Sequence, residues 1–221
     1  MSSEKPLEKK NSQRSLGLFE LISSYASPQT KNSFELYGCL PSLSSALFSP
    51  FHQGQVVEWG IPYGKNGRCI PLSFFRNISF PVAWIYEHKG LRVYPPSWKA
   101  FGINLEQFFF VESKQPLQDL KPLFLCRTFP VIVMDISSGL FQKHKAFLKQ
   151  KAHQHEKIIF IIHPFWMRKD IGNPYAQVRI NVFFHFFKNV FSLDLLKGGQ
   201  EQRLCIQSDE VFRYELFRKY Y

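Results

Sequence analysis

Two carboxylates and one glycine-rich turn are the residues here whose types and order could do chemistry. Asp135 ends the apolar run PVIVMD at 130–135. Glu87 and His88 end another, in VAWIYEHKG at 82–90. Upstream, QVVEWGIPYGKNGRC at 55–69 runs from an apolar segment into a turn holding Gly60, Gly64 and Gly67. Strand–glycine loop, strand–Glu and strand–Asp, in that order, is the skeleton of a nucleotide-binding core. In such a core the loop amides cradle phosphates and the carboxylates handle Mg²⁺ and water.

The loop lacks what a triphosphate needs. A working phosphate loop reads G-x-x-x-x-G-K-[ST], with Lys on the β/γ oxygens and a hydroxyl on Mg²⁺. Gly60 and Gly67 are seven steps apart instead of five, Arg68 stands at the Lys position and Cys69 at the hydroxyl position. A thiol is a poor ligand for an ion that wants oxygen. The other registration, Gly64-Lys65, restores a lysine but puts Asn66 at the hydroxyl position and shortens the loop. These residues predict a chain that is no longer an enzyme, with Glu87 and Asp135 as relics and no bound cofactor.

The elements that must position them are legible as short apolar runs at 55–59, 82–86, 108–111, 131–134 and 158–162. Continuous apolarity over such lengths is the pattern of parallel strands buried on both faces. Residues 138–156 predict a crossover helix in which Leu140, Phe141, Phe147, Leu148 and Ala152 share a face, Lys143, Lys145, Lys149 and Lys151 crowd the rest, and Ser137 or Ser138 caps the start. After Pro174 the runs 178–187, 191–196 and 203–207 follow one another, with Lys197-Gly198-Gly199-Gln200 as a hairpin signal. The predicted fold is α/β: a mostly parallel sheet flanked by helices, with an antiparallel C-terminal edge. Three regions are expected: a polar, disordered extension with a short helix (1–32), the core domain (33–207), and a basic, aromatic tail (208–221). Within the extension, Leu16, Phe19 and Ile22 with Leu18, Leu21 and Tyr25 form an apolar helical face, read as a lid on the domain in preference to a docking helix for a partner.

The ordered series resembles the RecA recombinase core, from about residue 33 to 187. WIYEHKG (84–90) with WKAFGINLEQFFFVES (98–113) is similar to that family's Ala-Glu-His segment and the stretch after it, and VIVMD is similar to its Walker-B strand. Ala176–Ile180 resembles the end of its Ala-x-Val-Arg-Leu strand. The resemblance implies a RecA-like P-loop fold, with Glu87 matching the water-activating carboxylate and Asp135 the Mg²⁺-ordering one. The family's Asn-Gln pair reads His163-Pro164 here, and proline cannot sense a γ-phosphate. Its two DNA-binding loops have shrunk, which speaks against filament-type DNA binding. Among RecA-like proteins with this erosion, the loop ending and the Leu195-Leu196-Lys197-Gly198-Gly199 hairpin resemble ImuA, the small partner in the ImuA–ImuB mutagenesis cassette. SulA, a division inhibitor that binds FtsZ, has a similarly eroded core. The resemblance implies a non-catalytic adaptor in the bacterial SOS response and translesion synthesis, contacting RecA, an ImuB-type polymerase-like protein and a specialised DNA polymerase. The alternatives are a SulA-like inhibitor of FtsZ assembly and a residual DNA-repair ATPase using Arg68 or Lys65 for phosphate.

Charge and composition bound the partners. The chain of 221 residues has a formal charge of +11. Residues 121–200 hold twelve Lys/Arg against four Asp/Glu, a net +8. Such a face attracts nucleic acid or an acidic protein surface, and the 143–157 helix is the candidate DNA contact. The tail FRYELFRKYY (212–221) mixes Arg213 and Arg218 with Tyr214, Phe217 and Tyr220, the residue types that anchor docking peptides. Cys39, Cys69, Cys126 and Cys205 are scattered, which predicts a reduced, cytoplasmic setting. No secretory signal and no membrane-length apolar stretch is present. His153 and His155 are two apart and point to different sides of a helix, so no metal site is expected with His163. Cys69 at a helix N-terminus could carry a lowered thiol pKa with His52 or His88 nearby, but a structural thiol is the simpler reading. Phe183, Phe184, Phe186 and Phe187 read as a strand buried on both faces, or as base-stacking platforms.

Overall fold

The chain divides into two units, residues 1–32 and 33–221. The computed structural model describes residues 34–37, 40–64, 66–87, 95–137, 139–200 and 203–212, all in the second unit. Strands β1 (Glu35–Leu36) and β2 (Phe51–His52) form a small antiparallel ribbon. The main sheet has eight strands: β3 (Val56–Gly60), β4 (Val82–Glu87), β5 (Phe108–Ser113), β6 (Val131–Asp135), β7 (Ile158–His163), β8 (Val178–His185), β9 (Val190–Lys197) and β10 (Arg203–Gln207). Their spatial order is β10-β9-β8-β3-β7-β6-β4-β5. From β8 to β5 every pairing is parallel, and β8, β9 and β10 pair antiparallel. The predicted mostly parallel sheet with an antiparallel C-terminal edge is therefore the observed one.

The apolar runs are continuous because both faces of the parallel part are covered. One face carries Val57, Trp59, Trp84, Val133, Phe160 and Ile162, packed with residues of helices α1 (Pro41–Ala46), α2 (Cys69–Ser73), α3 (Pro95–Ala100) and α7 (Ser208–Phe212). Phe51, Trp59, Phe74, Phe75 and Phe160 interlock there at ring-centroid distances of 4.7–6.3 Å. Burying each such ring stabilises the fold by roughly 1.5–3 kcal/mol. The opposite face, with Ile85, Ile132, Met134, Ile159 and Ile161 fully buried, lies on the side of α4 (Pro116–Asp119), α5 (Lys121–Leu125) and α6 (Gln142–Gln154). Proline at the first turn starts α1, α4 and α5, where its missing N–H and fixed φ cost nothing.

Three expectations change. Helix α6 starts at Gln142 behind an N-cap Phe141 that makes no side-chain cap; Ser137 is instead turned onto Glu87. Phe141 is therefore outside the helix and exposed, while Leu148 and Ala152 carry the buried face. The aromatic run after β8 leaves the sheet: residues 186–188 form a 3-10 turn closed by Asn189 at φ 52°, and Phe186 and Phe187 are exposed. The packed domain also continues past Gln207, since Val211 of α7 is fully buried and its carbonyl accepts from Arg76 Nη2 at 2.6 Å.

Lys157, just before β7, is fully buried and donates to the Phe129 carbonyl at 2.6 Å. Burial pushes its amine from 10.5 down to about 8, against a small opposing pull from Cys126. Between pH 8 and 10.5 the unfolded chain holds a proton that the folded chain has released, so this group makes stability rise with pH across that window. Lys157→Met should be more stable than the parent at pH 7, because no charge is buried. Its advantage should shrink towards pH 10.5 in chemical denaturation curves at matched pH. A difference that is flat with pH would show that the buried amine does not control it.

Candidate functional site

The glycine turn lies between the end of β3 at Gly60 and the start of α2 at Cys69. Gly64 (φ +71°) and Asn66 (φ 50°) take the left-handed conformation that bends it. Gly67 sits so close to β8 and Ile61 that an added Cβ would lie 2.7 Å from Ile61 Cγ2 and 3.1 Å from Val182 Cγ1. Helix α2 is only five residues long and includes Pro71, so it presents little aligned dipole to an anion. Lys65 and His88 lie outside the described residues, as do the tail residues Arg213, Tyr214, Phe217, Arg218 and Tyr220.

Arg68 and Asp135 meet. Arg68 Nε donates to Asp135 Oδ2 at 2.7 Å and Nη2 to Oδ1 at 2.8 Å, a two-pronged pair. Their side chains are 18% and 8% exposed. The Asp135 charge is thus met by a guanidinium belonging to the turn. Glu87 is engaged as well: it accepts from the Ser137 backbone N–H at 3.0 Å and from the Ser137 hydroxyl. Both carboxylates predicted for Mg²⁺ and water are held by protein donors. Cys69 bonds the Asn66 carbonyl at 2.9 Å, and burial pushes its thiol up to about 12. The lowered thiol pKa considered for a helix N-terminus is not found, because desolvation outweighs a short helix. His52 is paired with the Gln55 amide. Among the described residues no three His, Cys, Asp or Glu come together as a metal cluster.

A second polar constellation was not read from the chain. Glu58, in the middle of β3, is buried at 2% exposure. Arg179 Nε donates to its Oε2 at 3.2 Å, and His163 Nε2 lies 3.4 Å from its Oε1. Burial pushes the Glu58 carboxyl up, but the His163 hydrogen bond and charge and the Arg179 charge outweigh it, leaving it below the usual range. Arg179 also donates to the Arg168 and Ile171 carbonyls at 3.0 and 2.9 Å. Gly172 is required there, since a Cβ would lie 2.0 Å from the guanidinium. Asn181 grips Met167 through both backbone groups at 2.9 Å. These side chains hold the 164–177 segment over the C-terminal ends of β3 and β7, beside the first half of β8, and a cavity of about 300 Å³ opens beside them. Sequence separations of 105 and 121 hid the cluster. The signal was a lone charge inside each of two apolar runs, VVEWG and VRINV.

The basic face of α6 is partly spent. Lys149 donates to the Gly54 carbonyl at 3.1 Å and Lys151 to Gln154 at 2.8 Å. Of the five lysines along 143–157, Lys149 and the buried Lys157 are turned onto the protein, and Lys151 bonds Gln154 of its own helix.

Strand order, parallel core and flanking helices define a RecA-like α/β fold. No family profile matches the chain, and no curated protein does. Among solved structures, the RadB recombinase is similar, with TM-score 0.59 and 14% identity over 75% of this chain and 91% of that one. At that identity the likeness concerns the fold. No helix among the described residues is long and apolar enough to cross a membrane.

Gly60 joins the two constellations, and a Cβ there would meet Asn181 Oδ1 at 2.2 Å and the Phe165 carbonyl at 2.9 Å. Gly60→Ala is expected to cost about 1–3 kcal/mol, read as a lower denaturation midpoint. An unchanged midpoint would mean the segment over the sheet shifts freely.

Proposed function

We propose that this chain is a non-catalytic RecA-like adaptor that works through protein contacts rather than nucleotide turnover. The observation that supports this best is the Arg68–Asp135 pair, which uses the turn's cation and the carboxylate on each other. Mg²⁺–nucleotide binding would have to break it. Splitting a mostly buried pair costs ~3 kcal/mol, about two decades of affinity. Glu87 is likewise engaged, its Oε2 accepting from the Ser137 N–H and hydroxyl. The lengthened, Arg-ended loop is read as a degenerate P-loop. The resemblance to ImuA supplies the setting: damage-induced bacterial DNA synthesis, with RecA, an ImuB-type protein and a specialised polymerase as partner classes.

Calorimetry with ATP and Mg²⁺, at salt high enough to suppress attraction to a +11 chain, should show no binding. Micromolar, Mg²⁺-dependent binding would overturn the reading, and hydrolysis lost in Glu87→Gln would then establish an ATPase.

The tail beyond α7 is the proposed docking peptide, with Arg213, Tyr214, Phe217, Arg218 and Tyr220 as anchors. Because Val211 belongs to the core, truncation after Phe212 separates docking from folding. Pull-down of RecA or an ImuB-type protein should fall at least tenfold with that truncation, while the thermal midpoint holds. Undiminished capture would remove the tail from the account.

A further inference from the structure

The aromatic face of the sheet carries a cavity at the point where α7 stops. Its volume is about 430 Å³, and it lies between the glycine turn, α3 and Phe212, the last residue of α7. Leu72, Trp98, Phe101 and Phe212 give it apolar walls, and Asn66 and Ser97 supply polar groups. The walls are set before anything enters. Trp98 is braced by Trp84 at 4.5 Å and by Phe110 at 5.3 Å between ring centroids. Arg76 is buried, lies 3.9 Å over the Phe101 ring, and donates to the Phe101 carbonyl at 3.2 Å and the Val211 carbonyl at 2.6 Å. One side chain thus fixes both a wall of the cavity and the place where α7 stops beside it. Phe212, edge-on to Phe101 at 6.1 Å, is still 48% exposed, so that wall has room for another ring.

The chain itself delivers one. Phe212 lines the cavity, and Tyr214 follows it after a single residue, a reach of at most about 7 Å of chain. We infer that the cavity is the seat of Tyr214, so that the chain's own tail occupies it while no partner is bound. A tether this short holds the ring at a roughly millimolar effective concentration, and a side chain from any other molecule has to displace it. Tyrosine suits the lining, because its ring buries against the aromatic walls and its hydroxyl has Asn66 and Ser97 as polar neighbours. Arg68, also in the lining, is already held by Asp135 and is not needed for the seat. Gly64, Asn66 and Arg68 of the glycine turn belong to the same cavity, so a seated tail covers that side of the turn. The assignment rests on the adaptor reading in one respect: it gives the docking peptide a resting place, from which a partner that takes Tyr214 must first withdraw it.

Limited trypsin cleavage of the full chain reads the seat, because a seated Tyr214 withholds the Arg213–Tyr214 bond. That bond should be cut at least a hundredfold more slowly in the full chain than in a free peptide of residues 208–221. Ser97→Trp, which fills the cavity from an exposed position of α3, should speed cleavage of the chain at least tenfold with an unchanged thermal midpoint. Tyr214→Ser should do the same, measured against a peptide carrying the same change. Slow cleavage that neither variant relieves would mean that closeness to α7 alone shields the bond, and would overturn the assignment. Cleavage of the full chain at the peptide's rate would overturn it too. Protection that grows with protein concentration would give the cavity to the tail of a second copy and overturn the assignment to the chain's own. Each such failure concerns this seat alone; the ATP titration and the pull-down decide the adaptor reading separately.

Discussion

A carboxylate in the middle of an eight-stranded sheet must be paired, and the architecture around β3 follows from how Glu58 is paired. An isolated ion there would cost far more than the fold's net stability. The parallel register of β3 and β8 sets Glu58 directly beside Arg179, and β7 brings His163 to the same carboxylate. Arg179 in turn has more donors than Glu58 can take, and it spends them on carbonyls of the 164–177 segment. One buried charge thus fixes which strands neighbour β3 and how the segment after β7 folds back. Gly60 and Gly172 are glycine because that folding brings Asn181 and Arg179 against their backbones.

The two polar constellations sit on opposite faces of the same sheet. Val131 and Val133 belong to the aromatic core, and Asp135 shares their face by strand alternation. There it meets Arg68 at the head of α2. Glu58 alternates with Val57 and Trp59 and faces the other way. Gly60 is the shared hinge point: it ends β3, opens the turn to Arg68, and lies under Asn181. Each constellation clamps a different loop at the C-terminal ends of the parallel strands, the end where such sheets hold ligands. The clamps differ in what they leave open. The Arg68–Asp135 pair engages both oxygens of its carboxylate, whereas the Glu58 cluster lies beside a cavity and, among the described residues, His163 Nδ1 has no hydrogen-bond partner.

The parallel strands were legible because burial on both faces writes itself as continuous apolarity, and ends differ by a residue or two. The Gly198-Gly199 turn was legible because Gly198 (φ +85°) must be glycine for both conformation and space, its Cβ lying 2.6 Å from Val178. Apolarity failed where it has no partner. Phe186 and Phe187 continue the run of β8, but strand pairing ends at His185↔Val190 and Asn189 turns the chain. The start of α6 was misread because a serine that caps in isolation has a stronger acceptor in Glu87 once the strands assemble. The loop's residues were legible as types but not as a pair. Only the approach of the α2 head to the β6 end, 67 residues apart, shows that Arg68 answers Asp135.

That answer explains why an arginine differs from a lysine at this position. A lysine is a point charge on a flexible stem and can be shared with a phosphate or moved aside. A guanidinium presents two parallel donors, stays charged at any working pH, and matches both oxygens of one carboxylate. With Arg68 seated on Asp135 and the Tyr63 ring 5.8 Å from its guanidinium, the turn gains a covering contact instead of an open cradle. The Arg68 charge that would attract a phosphate is held 2.7 Å from a carboxylate. The long-range positive field of the domain is carried elsewhere, in the 121–200 stretch, whose Lys145 and Arg168 line the cavity beside His163.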